Sequence, residues 1–409
     1  MRRITLMILG ILTLYASNAQ KRGFDYNFYG FVRGDLFYNS RANMAPIDGN
    51  FYLFPLDKSL DTDGNDLNGV PNGSFYTFTS RLGLEISGPD IGKIHTSARI
   101  ETDFGGFSGS HTMLRIRQAY VSLALGRSEL LVGVTWHPLF GSVMPDVLNL
   151  STGAPFQPFN RSPQIRLGYK PNDKLLFTCA LLWQSQYLSS GPKGMSVDYI
   201  KNSCTPEIFV GADFSPSHNI IMGIGGHLIS LSPRTTTEWN GNIYKVNERM
   251  TALSCEAHLK YSGINYTFAV KSLIASALDH TALLGGYGVS SVDQTNGEQC
   301  YTPFRHSTSW VNFTYGSKWK PAIFVGYTKN LGTHKSLMSS DKLYGMGLDI
   351  DQLVTVNVNL SYNLPHWKFG VEYCPSTAFY GTTDLLDGRV VDTHAVTNHR
   401  ILGLMMYYF

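Results

Sequence analysis

The run His95-Thr96-Ser97-Ala98-Arg99-Ile100-Glu101-Thr102-Asp103-Phe104 sets His95, Arg99, Glu101 and Asp103 on one face of an extended chain. Ala98, Ile100 and Phe104, with Ile94 just before them, fall on the other. A repeat of two is the repeat of a β-strand, whose successive side chains point to opposite sides. About ten residues of tilted strand cross a bilayer, and an arginine at the midplane of a lipid-facing strand surface costs roughly 2 to 4 kcal/mol. The charges therefore choose the face: the uncharged side meets hydrocarbon and the charged side meets water.

The same division holds in the neighbouring segments. Phe28, Val32, Leu36 and Tyr38 alternate against Arg33 and Asp35; Phe78, Leu82, Leu84 and Ile86 against Arg81 and Glu85; Leu114 and Ile116 against Arg115 and Arg117. At the end of the chain Ile401, Gly403, Met405, Tyr407 and Phe409 share one face. Sixteen such segments span approximately 26–38, 75–87, 93–104, 113–124, 129–137, 162–170, 174–185, 207–214, 220–231, 249–262, 264–275, 306–315, 321–331, 350–362, 367–375 and 397–409. Short connections rich in Gly, Pro, Asn and Ser, such as Pro171-Asn172-Asp173 and Ser262-Gly263, alternate with long ones such as 39–74, 138–161, 186–206, 276–305 and 376–396. This segregation predicts an all-β fold: a transmembrane antiparallel β-barrel of about sixteen strands, with short periplasmic turns and long extracellular loops. The location implied is the outer membrane of a Gram-negative cell, among its lipids. Met405, Tyr407 and Phe409, aromatic at the very end, read as the signal recognised by the barrel assembly machinery.

Composition agrees. Charged residues are 15% of the chain, against roughly 25% in ordinary soluble domains, while Gly (40), Tyr (23) and Phe (23) are abundant. A net charge of +3 supplies no bulk field to attract nucleic acid, so none is expected as a partner. Met1-Arg2-Arg3, an apolar run from Ile4 to Tyr15 and a small-residue end at Ser17-Asn18-Ala19 form a secretory signal peptide over residues 1–19, which leaves 20–409 as the barrel domain. Cys179, Cys204, Cys255, Cys300 and Cys374 show no metal-ligand spacing; Cys179 and Cys255 read as small hydrophobes in apolar segments, and Cys204 and Cys300 fall in loops where pairing stays open.

Sixteen strands enclose an aqueous lumen, so something must narrow it. Residues 138–161 hold Leu139-Phe140, Val143-Met144-Pro145, Pro155-Phe156 and Pro158-Phe159, a surface too apolar to project into water. Folded into the barrel, this segment becomes a constriction loop and carries Asp146 toward the wall. The lumen face of the first six strands gathers Arg33, Arg81, Arg99, Arg115, Arg117 and Arg166 against Asp35, Glu85, Glu101 and Asp103. Lumen charges set ion selectivity, and the planar guanidinium suits carboxylates; pairing of these charges across strands would instead stiffen the wall. The function read from these residues is a porin for small hydrophilic, preferentially anionic solutes.

The sequence Ser80-Arg81-Leu82-Gly83-Leu84-Glu85, with Gly92-Lys93-Ile94, Arg99-Ile100-Glu101-Thr102-Asp103-Phe104, Leu114-Arg115-Ile116-Arg117-Gln118-Ala119-Tyr120, Leu131-Val132-Gly133-Val134-Thr135-Trp136 and Phe140, resembles the DcaP-like trimeric porins. The resemblance covers about a sixth of the chain. It implies a sixteen-stranded homotrimer that takes up small anionic solutes such as dicarboxylates, with Arg81, Arg99, Arg115 and Arg117 at motif positions that line the pore. Members of that family often carry an N-terminal coiled-coil stalk, whereas here only Gln20 to Asp25 separate the cleavage site from the first strand.

No nucleotide-binding, serine-hydrolase or zinc-protease motif stands in a supporting context, so neither an enzyme nor a bound cofactor is expected. Asp61, Asp63 and Asn65 imitate the start of a calcium loop, but Asp66 takes the position of its glycine and Asn72 that of its glutamate. His95, His137 and His258 read as solvated lumen residues. The competing functions are an adhesin or receptor acting through its long loops and, with no Ser-His pair to support it, a barrel-based lipid hydrolase.

Overall fold

The computed structural model describes residues 23–47, 49–106 and 113–409; the signal segment lies outside them. Among these residues sixteen antiparallel strands close into a barrel: β1 (Asp25–Asn39), β2 in two pieces (Asn72–Tyr76 and Arg81–Ser87), β3 (His95–Asp103), β4 (Arg115–Leu125), β5 (Ser128–Trp136), β6 (Arg161–Asn172), β7 (Leu175–Leu182), β8 (Glu207–Ser217), β9 (Ile220–Leu231), β10 (Met250–Ser262), β11 (Tyr266–Ser276), β12 (Arg305–Tyr315), β13 (Trp319–Gly332), β14 (Ile350–Asn363), β15 (Trp367–Thr383) and β16 (Val390–Tyr408). The seam joins β1 to β16, with Phe31 opposite Tyr408 and Asn39 opposite Arg400. Closure leaves no strand edge unpaired in the hydrocarbon, the condition for a β-structure to span a membrane.

Each of the sixteen segments read from the sequence is a strand. The connections at one rim run from two to seven residues, and the long ones gather at the other. At one tight turn Gly316 adopts φ +81, and a Cβ there would meet the carbonyl of Trp319.

The two faces separate as the charges require. Along β13, Ile323, Val325 and Tyr327 are exposed on the outside, while Ala322, Phe324, Thr328 and Asn330 are buried inside. Exposed aromatics cluster at the short-turn rim: Phe28, Tyr169, Phe214, Tyr266, Tyr315, Trp319, Trp367 and Tyr407. These positions match an interfacial aromatic girdle. Val325 lies at the middle of β13 between Val311 and Val356. Val325→Arg is expected to cost about 2–4 kcal/mol of folding free energy in vesicles, measured by urea titration; an unchanged midpoint would place that face away from lipid.

Two readings need correction. Residues 376–396 are not a loop: β15 and β16 continue through them as a hairpin, with Thr377 opposite Thr397 and their hydroxyls 2.9 Å apart. Cys204 and Cys300 are free thiols, like the other three cysteines. His137 and His258 are buried in side-chain networks, because the loop beginning at residue 138 covers them; His95 alone of the three stays exposed, beside Asp90.

Candidate functional site

A ladder of arginines descends the inner wall from β4 through β2 and β3. Arg115 Nε donates to Asp103 Oδ1 at 2.6 Å; Arg117 spans Glu101 (Nε, 2.9 Å) and Asp103 (Nη1, 2.7 Å); Arg81 Nη1 stands 3.6 Å from Glu101; Arg99 pairs with Glu85. Antiparallel register produces these contacts, since Arg115 and Arg81 flank Asp103 and Arg99 faces Glu85. Tyr29 lies against Gly83, where a Cβ would meet the ring at 2.2 Å, and its hydroxyl donates to Glu101 at 3.1 Å. On β1, Arg33 holds Asp35 at 2.8 Å and donates to the Leu148 carbonyl at 2.7 Å.

The carboxylates are therefore saturated. Asp35, Glu85, Glu101 and Asp103 each have an arginine partner, whereas among the described residues Arg161, Arg166 and Arg400 are in ion-pair contact with no carboxylate. Arg166 donates to Gln164 at 2.9 Å and to the Trp136 carbonyl. Arg161 is fully buried between the rings of Trp136 (4.7 Å), Phe159 (5.3 Å) and Tyr187 (5.4 Å). Arg400 covers the rings of Phe37 and Tyr52 and donates to Asn39 and the Gly49 carbonyl. Arg81, Arg99 and Arg166 keep part of their surface open.

Residues 138–160 leave the end of β5 and contact the inward-facing side chains of β11–β15. Lys271 Nζ donates to the carbonyls of Leu139 (2.8 Å) and Phe140 (3.0 Å), Trp310 Nε1 to Gln157 (2.9 Å), and the Asp146 amide donates to Asn312 Oδ1 (3.0 Å). The Asp146 carboxylate pairs with Lys320, the second residue of β13, and the Leu148 amide donates to Glu372. The segment thus lies on the lumen side of the wall and reaches from one rim almost to the other. Phe140, Val143, Phe156 and Phe159 join Trp310, Phe324, Ile350 and Leu353 in one buried cluster. Leu148 covers Leu402, Leu404 and Met406 of β16.

A second stretch that the sequence reading left in an outward loop also turns in. Phe51, Leu53 and Phe54 join the same cluster, and Phe51 meets Phe159 edge to face at 4.8 Å. The signal was present in Phe51-Tyr52-Leu53-Phe54, as apolar as the run at 138–161. Beside the loop base, a cavity of about 260 Å³ is lined by Trp136, His137, Pro138, Arg166, Glu256 and His258.

Asp61, Asp63 and Asn65 form a self-contained turn. Asp61 Oδ1 accepts from the amides of Asp63 (2.9 Å) and Asn65 (2.8 Å), and Oδ2 from Asn65 Nδ2 (3.0 Å). These donors, the Asn65 side chain first, hold the Asp61 carboxyl below its ordinary value. Met405, Tyr407 and Phe409 are exposed on the outer face, and Phe409 closes the chain through paired backbone bonds with Gly30.

No protein-family model matches the chain, and no curated protein aligns with it. Solved structures do. The outer membrane channel DcaP of Acinetobacter baumannii superposes with a TM-score of 0.67 over 95% of this chain and 98% of its own, at 16% identity. The trimer form of OmpT, an outer membrane protein of Vibrio cholerae, gives 0.55 over 95% and 100% at 12% identity. An anion-selective porin from Comamonas acidovorans gives 0.55 over 94% and 100% at 9%. The fold is that of the outer-membrane porins, and DcaP-like channels are among its structural neighbours.

Proposed function

We propose that this chain, which has the fold of outer-membrane porins, is a channel for passive diffusion of small hydrophilic solutes and prefers anions of the carboxylate type. The carrying observation is the cationic side of the inner wall at β1–β6: Asp35, Glu85, Glu101 and Asp103 are each paired with an arginine, and among the described residues Arg161 and Arg166 have no carboxylate in ion-pair contact. A guanidinium whose charge is not cancelled by a neighbour attracts anions in a confined, low-dielectric passage far more strongly than in bulk water. Arg166, partly open and outside any ion pair, is the group a passing carboxylate would meet with its charge free; Arg81 and Arg99, partly open although paired, stand beside its path, while Arg33, Arg115 and Arg117, with Asp35, Glu85, Glu101 and Asp103, hold the wall.

In this reading residues 138–161 form the constriction, Asp146 anchors it through Lys320, residues 1–19 direct export, and Met405, Tyr407 and Phe409 present the terminal strand to the assembly machinery. A homotrimer is proposed by analogy with the trimeric Vibrio neighbour. The test is current through purified protein in a planar bilayer under a salt gradient. Steps in groups of three with an anion-favouring reversal potential are expected. A cation-favouring potential would remove the selectivity proposal, and a silent, correctly folded barrel would remove the channel.

A further inference from the structure

His137, Glu207, His227 and His280 stand far apart in the sequence, and the barrel brings them together. His137 follows β5, Glu207 opens β8, His227 lies near the long-loop end of β9, and His280 sits in the turn Asp279–Thr281 after β11. Three imidazoles surround one carboxylate oxygen: Glu207 Oε2 is 3.4 Å from His137 Nε2, 3.0 Å from His227 Nε2 and 3.2 Å from His280 Nε2. The ligand atoms of His137, Glu207 and His280 lie within 4.8 Å of one another. All four side chains are shut off from solvent at 0–1% exposure, so this is no chance grouping on a solvated surface.

We propose that this cluster is a binding site for a divalent transition cation of the zinc type. Imidazole nitrogens with one carboxylate are the donor set of such ions, whereas calcium and magnesium prefer oxygen. The ion-free arrangement is also poorly satisfied. Glu207 Oε1 already accepts from Gln184 at 2.8 Å, which leaves Oε2 alone to face three rings. Buried polar groups seldom stand so, and a cation at the centre would relieve the crowding. Donor atoms on a tetrahedral zinc with bonds of about 2.0–2.1 Å stand about 3.3–3.4 Å apart, and the separations of 3.0, 3.2 and 3.4 Å between Glu207 Oε2 and the three Nε2 atoms are already of that size. The Leu139 amide donates to His137 Nδ1 at 3.1 Å, so the His137 proton rests on Nε2 while no ion is bound. Binding through Nε2 moves that proton to Nδ1, and the ring then gives up the Leu139 hydrogen bond.

The site would clamp both ends of the inward loop. The His137 amide donates to the Asn160 carbonyl at 3.0 Å, Asn160 Nδ2 donates to the His280 carbonyl at 3.0 Å, and the Phe159 amide donates to the Thr281 carbonyl at 2.7 Å. This proposal does not rest on the solute reading.

Untagged protein folded in detergent, stripped with a chelator and titrated with Zn²⁺ by calorimetry, is expected to take up one ion per chain. Affinity is expected to drop about tenfold or more in His227→Ala and in Glu207→Gln. Co²⁺ in place of Zn²⁺ is expected to show the visible bands of a four-coordinate ion, and X-ray absorption of zinc-loaded wild-type protein to show imidazole scattering. Failure of the wild type to retain zinc, wild-type affinity in both variants, or an oxygen-only absorption spectrum would each overturn the proposal. The spectroscopy uses wild-type protein, so it decides the matter even where a variant fails to fold.

Discussion

Replacing Arg117 by alanine is expected to lower the stability of the folded barrel by about 3–5 kcal/mol, because it strips one side from a buried ion pair. Arg117 is 2% exposed and touches both Glu101 and Asp103, which are 4% and 1% exposed. Without it, Arg81 remains for Glu101 and Arg115 for Asp103, but two carboxylates then lean on one another in a site that water barely reaches. Urea titration followed by the shift between folded and unfolded bands on a gel measures the loss. A single variant as stable as wild type would show that the ladder is not a structural element of the wall.

The second large effect concerns the passage itself. Excising residues 142–156 and bridging the gap with a short glycine linker is expected to raise single-channel conductance several-fold. The deleted stretch contains the groups that reach across to Asn312, Lys320 and Glu372, together with Phe156 against Phe324. Conductance follows the narrowest cross-section and its electrostatics. Bilayer recordings of the shortened protein provide the check, and an unchanged conductance would mean that the narrowing is built from the wall or from the other inward stretch, Phe51–Phe54.

The strands could be read from sequence because hydrocarbon punishes a misplaced charge more heavily than any soluble environment does. Arg99, Glu101 and Asp103 had one possible face, and the rest of the register followed. The same reasoning explains where reading failed. Beyond the bilayer the penalty vanishes, so the polar run Ser376-Thr377 opposite Thr397-Asn398 gave no alternation although β15 and β16 continue through it. The arginine positions were visible, but their balance was not, because pairing depends on which strand lies beside which: Arg117 with Glu101 and Asp103, Arg166 with Gln164 and the Trp136 carbonyl. The histidines were least legible. His137, His227 and His280 have no motif spacing, and only the curvature of the wall and the turn at Asp279–Thr281 bring them to Glu207.

The seam between β1 and β16 also governs when this molecule can exist. Phe31 pairs with Tyr408 and Gly30 with Phe409, so the contacts that close the cylinder join residues separated by nearly the whole of the described chain. Loop-closure entropy is then paid late, and contacts of such long sequence separation form slowly. A ribosome still holding the last strand holds the second partner of the first, whose other edge pairs with β2, so no cotranslational intermediate can be a finished barrel. The cylinder therefore closes only once the whole polypeptide is available, and its assembly is a problem of delayed folding.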